Sequence, residues 1–234
     1  MEGSSALGSV FERVHPPTTF EQTVERLGTA IRLGLLTPGS RLPPERELAA
    51  QLGIARSTLR QALTLLVQSG HLVALRGRTG GTFVAAAPPL SDGKGELGAN
   101  WREVCDARVA IECGAALLAA ERGDQDAFAR MDEVIERMDE PADFDDYRRC
   151  DVRFHLSIAE AAGTPRIVAR MTEVQGELTD LLALADHSAP VLAQRNAEHR
   201  EVLAALRSAD GIEAVRRLRA HLAATEHLLE QLAT

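Results

Sequence analysis

The stretch from Leu42 to Arg60, LPPERELAAQLGIARSTLR, constrains this chain more than any other, because it reads as two short helices joined by a tight turn. Pro43 and Pro44 open the first helix, where a missing N–H would have no partner anyway, and Gly53 ends it. The second starts at Arg56 or Ser57, with Ser57 as candidate N-cap, and Leu59, Leu63, Leu66 and Val67 give it one apolar face. That leaves Arg56, Ser57, Thr58, Arg60 and Gln61 at or near its exposed N-terminal end. A recognition helix meets base edges with its N-terminal residues, so this placement suits a helix-turn-helix reader of double-stranded DNA. After Gly70, the segments His71–Leu75 and Thr82–Val84 read as short strands joined by the basic, glycine-rich turn Arg76–Gly81. Upstream, Val24, Leu27, Ile31 and Leu35 predict a first helix over Gln22–Gly34. Three helices followed by a hairpin make a winged helix-turn-helix.

Charge separates this module from the rest. The whole chain carries −8, which would argue against a nucleic-acid partner if it were spread evenly. It is not: residues 20–87 carry +4, residues 88–234 carry −11 and the first 19 residues −1. Only the basic module is expected to face phosphates. A length of 234 residues accommodates two domains with real cores. The N-terminus has no basic start followed by an apolar run, nothing reads as a membrane span, and Cys105, Cys113 and Cys150 are too scattered for a disulfide framework or a thiolate zinc site. A cytoplasmic protein without a membrane partner is the expectation.

Residues 88–99 are rich in proline and glycine and have no period, which predicts a linker between a domain over 20–87 and one over 100–234, with 1–19 as a tail. Beyond it every segment reads as helix, near 100–122, 124–139, 143–162, 165–186, 189–208 and 211–232. The starts carry signals: Asn100 with Glu103, Thr164 before Pro165, Ser188 before Pro190, and Asp210 with Glu213. The fold expected for the whole is mainly α, a winged helix-turn-helix followed by an antiparallel helical bundle.

Four side chains of that bundle do not suit the faces they occupy. Asp151 and His155 lie one turn apart on the face carrying Ile158 and Ala162. His199 falls on the stripe of Leu192, Asn196, Leu203 and Leu206, and His221 on that of Leu218, Leu222, Thr225 and Leu228. Burying a carboxylate and three imidazoles is costly unless they pair or bind a metal. A lone histidine on an apolar face is more often a satisfied core residue than a ligand, and an aspartate one turn from a histidine is a common pattern. His15, His71, His187 and His227 belong to no such set and are taken as surface or structural residues. Arg108 falls on an inward stripe with Trp101, Val104, Ile111, Ala115 and Leu118, where it either clamps an anion or pairs with Glu112 one turn on.

The segment AIRLGLLTPGSRLPPERELAAQLGIARSTLRQALTLLVQSGHLVALRGRTGGTFV resembles the N-terminal domain of the GntR family of bacterial transcription regulators. The resemblance implies operator contacts at Arg46, Arg56, Ser57, Thr58, Arg60, Arg76 and Gly77; Ala55 departs from the serine or threonine usual there. Residues 100–234 resemble the all-helical FCD effector domain of the FadR subfamily. In its metal-containing members the ligands are an Asp-x3-His pair and two histidines on the last two helices, which implies Asp151, His155, His199 and His221 here. Members that bind acyl-coenzyme A lack these ligands, so a fatty-acid sensor is disfavoured. The subfamily's arginine in the first helix implies that Arg108 reaches the effector, with Asn196, one turn before His199, as a second candidate.

One oxygen and three nitrogen donors suit a divalent transition metal, Zn, Ni, Mn or Fe, with coordination positions left for a small organic acid. The sequence thus predicts a ligand-responsive repressor that binds a palindromic operator as a homodimer. A regulator whose metal is purely structural, or is itself the signal, is an alternative. A metalloenzyme is the competing class, but no nucleophile or general base at a recognised spacing accompanies the four ligands, and an enzyme has no use for residues 22–84.

Overall fold

Thr18 and Glu21 start the first helix, α1 (Thr19–Arg32): the Thr18 hydroxyl accepts the Glu21 N–H at 3.2 Å, and the Glu21 carboxylate accepts the Thr18 N–H at 2.7 Å. This reciprocal capping box sets the start three residues before the expected one. Leu27, Ile31 and Leu33 are buried, whereas Leu35, expected on the same face, lies past the helix end and is exposed. The computed structural model describes residues 17–77, 80–89, 100–182 and 188–232. The N-terminal tail, most of the linker, Arg78, His15 and His187 fall outside them. Contacts divide the chain into two units, one comprising residues 1–28 and 38–88, the other 29–37 and 89–234.

In the first unit, α2 (Glu45–Leu52) follows Pro44, and α3 (Arg56–Gln68) follows Ala55. Gly53 joins them with φ of 67°, a left-handed conformation that lets its N–H reach back to the carbonyls of α2. Ser57 is not the N-cap: Ala55 holds that place, extended and without a side-chain cap, and Ser57 lies inside the first turn. Leu59, Ala62, Leu63 and Leu66 face the core, with Val67 half-buried. Strand β1 (Leu72–Leu75) pairs antiparallel with β2 (Gly81–Val84), Leu72 opposite Val84 and Leu75 opposite Gly81. Arg41 braces this wing by donating to the Gly80 carbonyl at 2.6 Å and lying over the Phe83 ring.

The second unit is a helical bundle of α4 (Trp101–Arg122), α5 (Gln125–Asp139), α6 (Phe144–Ala161), α7 (Pro165–Leu182), α8 (Ala189–Arg207) and α9 (Gly211–Leu232). Asp124, Asp143 and Asp210 cap α5, α6 and α9 by accepting the backbone N–H three residues on. Asn100 and Ser188 precede α4 and α8 without a side-chain cap. The core is built of Phe128, Met131 and Ile135 from α5, Phe154 and Ile158 from α6, Met171, Leu206 and Leu218. Helix α6 is its most buried member: from Phe154 to Ala159 every residue is buried. It packs against α4, α5 and α7, while α9 packs against α4 and α8. Two expected stripes shift. On α4, Glu112 is inside at 0% exposure while Ile111 is only half-buried; on α9, Leu229 is buried and Leu228 half-buried, because the stripe centres on Leu218 and Thr225.

Candidate functional site

Asp151 and His155 project from successive turns of α6, and His199 and His221 meet them from α8 and α9. One ligand atom from each lies within 4.8 Å of those of the other three, and all four side chains are buried. The imidazole centroids stand 4.4 Å apart for His199 and His221, 5.5 Å for His155 and His199, and 5.4 Å for His155 and His221. Phe154 packs on His199 at 4.5 Å and closes the apolar wall.

Hydrogen bonds fix which ring nitrogens face inward. Nδ1 of His155 lies 2.6 Å from Glu112 Oε2, and Nδ1 of His221 lies 2.9 Å from Glu198 Oε2. A carboxylate only accepts, so each Nδ1 carries the proton and each Nε2 presents a lone pair. Nε2 of His221, both ring nitrogens of His199 and Oδ1 of Asp151 are buried without a hydrogen-bond partner; His199 Nε2 stands 3.4 Å from Asp151 Oδ1. Burial, reinforced by the nearby Arg195 guanidinium, pushes His199 and His221 well below the usual imidazole range and keeps them neutral. Burial acts to raise the Asp151 carboxyl, but the positive field around it, with Arg195 and Arg108 its permanent part, holds it below the usual carboxylate range. Orphaned lone pairs, neutral imidazoles and an ionised carboxylate form a donor set that fits a divalent transition metal.

Arg108 Nε donates to Glu112 Oε1 at 2.7 Å, and Nη2 lies 3.3 Å from His155 Nε2, while Nη1 is buried with no partner. The ion pair with Glu112 is therefore present, and one guanidinium nitrogen remains beside the cluster. Burial acts to raise the Glu112 carboxyl, but the hydrogen bonds from His155 and Arg108 and the guanidinium charge bring it to about 2. Gln175 of α7 also donates to Glu112 Oε1, at 2.8 Å. Asn196 is buried one turn before His199 and donates to Asp139 Oδ1 at 3.1 Å. Sequence reasoning missed Glu198, Arg195 and Tyr147. Glu198 has no spacing relation to His221, because the pair forms across two helices. Arg195 is buried and donates to Thr225 Oγ1 at 2.8 Å; Tyr147 is 3% exposed, and its hydroxyl has no partner.

In the first unit Arg46, Arg56, Ser57 and Arg60 are exposed, Thr58 is half-buried, and Arg76 and Gly77 are exposed at the end of β1, Gly77 with φ of 107°. The structure joins Arg60 to Glu45 of α2, a residue the sequence did not single out.

Two family models match: "Bacterial regulatory proteins, gntR family" over residues 19–84 and "FCD domain" over residues 103–224. A protein of Escherichia coli (strain K12) named as a regulator of the L-lactate dehydrogenase operon is 31% identical over 229 residues, covering 89% of this chain and 85% of its own. RmpR of Mycobacterium gastri, named as an HTH-type transcriptional regulator, is 35% identical over 164 residues; the match covers 66% of this chain and 58% of RmpR. Among solved structures, E. coli McbR/YncC shares the fold with a TM-score of 0.59 at 22% identity, over 94% of this chain and 100% of that one. Families and relatives alike are transcription regulators rather than enzymes. Among the described residues no helix is long and apolar enough to cross a membrane. The chain belongs to the GntR family of bacterial transcription regulators, with an FCD effector domain behind its DNA-binding domain.

Proposed function

We propose that this regulator is a cytoplasmic repressor that binds a palindromic operator as a homodimer, and that a small organic acid bound in the bundle controls it. Asp151, His155, His199 and His221 would hold a divalent transition metal, Zn, Ni, Mn or Fe. The observation that carries the reading is the set of buried lone pairs on Asp151, His199 and His221 with no other partner, beside an Nε2 of His155 whose tautomer Glu112 fixes. Leaving such groups unsatisfied is expensive in an apolar core, whereas coordination satisfies all of them at once. When bound, the metal supplies open coordination positions for carboxylate oxygens. Arg108 offers its free Nη1 to the same anion, and Asn196 lies one turn away. The operon for which the E. coli relative is named supports an organic acid as the effector class. DNA contacts fall to Arg46, Arg56, Ser57, Thr58, Arg60, Arg76 and Gly77. The test is metal analysis of the purified full chain alongside an operator mobility shift titrated with organic acids. About one transition metal per chain and acid-dependent release are expected; a metal-free protein whose DNA binding ignores every acid would overturn the reading.

A further inference from the structure

The wing is held from outside its own hairpin. Residues 40–42 run along the edge of β2 that β1 leaves open: Leu42 N–H donates to the Thr82 carbonyl and Val84 N–H to the Ser40 carbonyl, each at 2.9 Å, and Arg41 stands opposite Phe83. The Arg41 guanidinium donates from Nη2 to the Gly80 carbonyl at 2.6 Å and lies over the Phe83 ring, 5.9 Å from its centroid. Gly81 leaves room for it, because a Cβ there would stand 2.7 Å from Arg41 Nε.

Gly80 passes this hold to the other strand. Its N–H donates to the Gly77 carbonyl at 2.9 Å, and a Cβ on it would stand 2.5 Å from the Leu75 carbonyl oxygen and 3.0 Å from the Arg76 carbonyl carbon. Gly80 therefore lies directly on the backbone of residues 75–77, and where Gly80 is held, Arg76 is held too. The same segment also reaches the recognition helix. From Arg41 the chain runs through buried Leu42 and Pro43–Pro44 into α2, where Glu45 accepts from Arg60 of α3 at 2.7 Å. One stretch, Arg41–Glu45, takes the wing at one end and α3 at the other.

We infer that Arg41 is a positioning residue for DNA recognition: through Gly80 it fixes the strand end from which Arg76 reaches the operator, without touching DNA itself. The inference rests on the operator contact assigned to Arg76 above. A side chain that starts from a fixed backbone loses less freedom on binding, so the hold appears as affinity. Arg41 is exposed, so its bond adds little to the stability of the fold.

The test compares full-length wild type, Arg41→Gln, Arg76→Ala and the double variant, on the duplex that the wild type selects from a randomised library, over a series of salt concentrations. Arg41→Gln is expected to bind about tenfold more weakly at an unchanged melting temperature, the worth of one hydrogen bond from a charged group. In the Arg76→Ala background the same substitution should weaken binding less than about twofold and leave the salt dependence as it is, since nothing remains to be positioned. Losses that add in the double variant overturn the inference, and a salt slope lower by about one would then make Arg41 a phosphate contact. A lowered melting temperature for Arg41→Gln overturns it too, by making the residue a support of the fold. Wild-type affinity in Arg76→Ala would remove the operator contact on which the inference rests. A weakened Arg76→Ala beside an Arg41→Gln that binds like wild type removes the positioning role alone.

Discussion

Arg60 and Glu45 face each other across the helix-turn-helix: the guanidinium donates from Nε at 3.2 Å and from Nη2 at 2.7 Å to one carboxylate oxygen. The pair leaves Nη1 free and restrains a long side chain on the exposed side of α3. Both groups are solvated, so the pair adds little to stability; its effect is on where the guanidinium waits.

Arg56→Ala and Arg60→Ala should each weaken operator binding by roughly 1–3 kcal/mol where the arginine reads a base bidentately, with unchanged helix content and metal content. Glu45→Gln should leave the melting temperature nearly unchanged and reduce discrimination between operator and mismatched DNA. Mobility shifts on matched and mismatched duplexes decide this; wild-type binding by both arginine variants would remove α3 from the groove.

His155→Ala, His199→Ala and His221→Ala should each lower bound metal, because each removes one of four ligands. Glu112→Gln and Glu198→Gln touch no metal, yet should weaken its affinity about 10–100-fold by releasing the tautomer that each carboxylate holds. Competition with a metal-chelating dye measures the series. Full stoichiometry in all three histidine variants would make them core residues.

Arg108→Gln should raise the acid concentration needed to release operator DNA, because effector shifts the equilibrium only through its differential affinity for two states. It should also lower the melting temperature, since Glu112 at 0% exposure loses its charged partner, a change that costs roughly 3–5 kcal/mol for a buried pair. Release at the wild-type concentration, together with a lowered melting temperature, would leave Arg108 with the ion pair as its sole task.

Tyr147→Phe separates stability from function in the opposite direction. The variant deletes a buried hydroxyl that has no partner, so the effector-free protein should be as stable as wild type or more stable by up to about 1 kcal/mol. Effector affinity should fall. Thermal melts with and without acid test both halves, and a clear loss of stability without acid would show that the hydroxyl has a structural partner.

Periodicity made the winged helix and the bundle readable, because each depends on which residues share a face of one element. The limits appear where a partner comes from another element. Glu112 was visible from Arg108 as an i,i+4 neighbour, but its bonds to His155 and Gln175 depend on how α4, α6 and α7 pack. Glu198 sits beside His199 in sequence yet serves His221. Local chemistry was also overlooked: the Thr18–Glu21 capping box was legible but lay ahead of the first apolar residue used to place α1, and Ser57 looked like a cap although Ala55 takes that position.

The Glu112 carboxylate keys three helices at once, with Arg108 on α4, His155 on α6 and Gln175 on α7. A slide of α6 or α7 by one turn, about 5.4 Å, breaks its bond to that carboxylate in the core. Helices α8 and α9 are tied in their turn by Glu198 to His221 and by Arg195 to Thr225, and α9 also packs along α4. Asp151 and His155 stand on the first set of helices, His199 and His221 on the second, so the cluster draws its four side chains from both sets. An occupant that binds all four adds one more tie between them, which turns a question of occupancy into one of geometry.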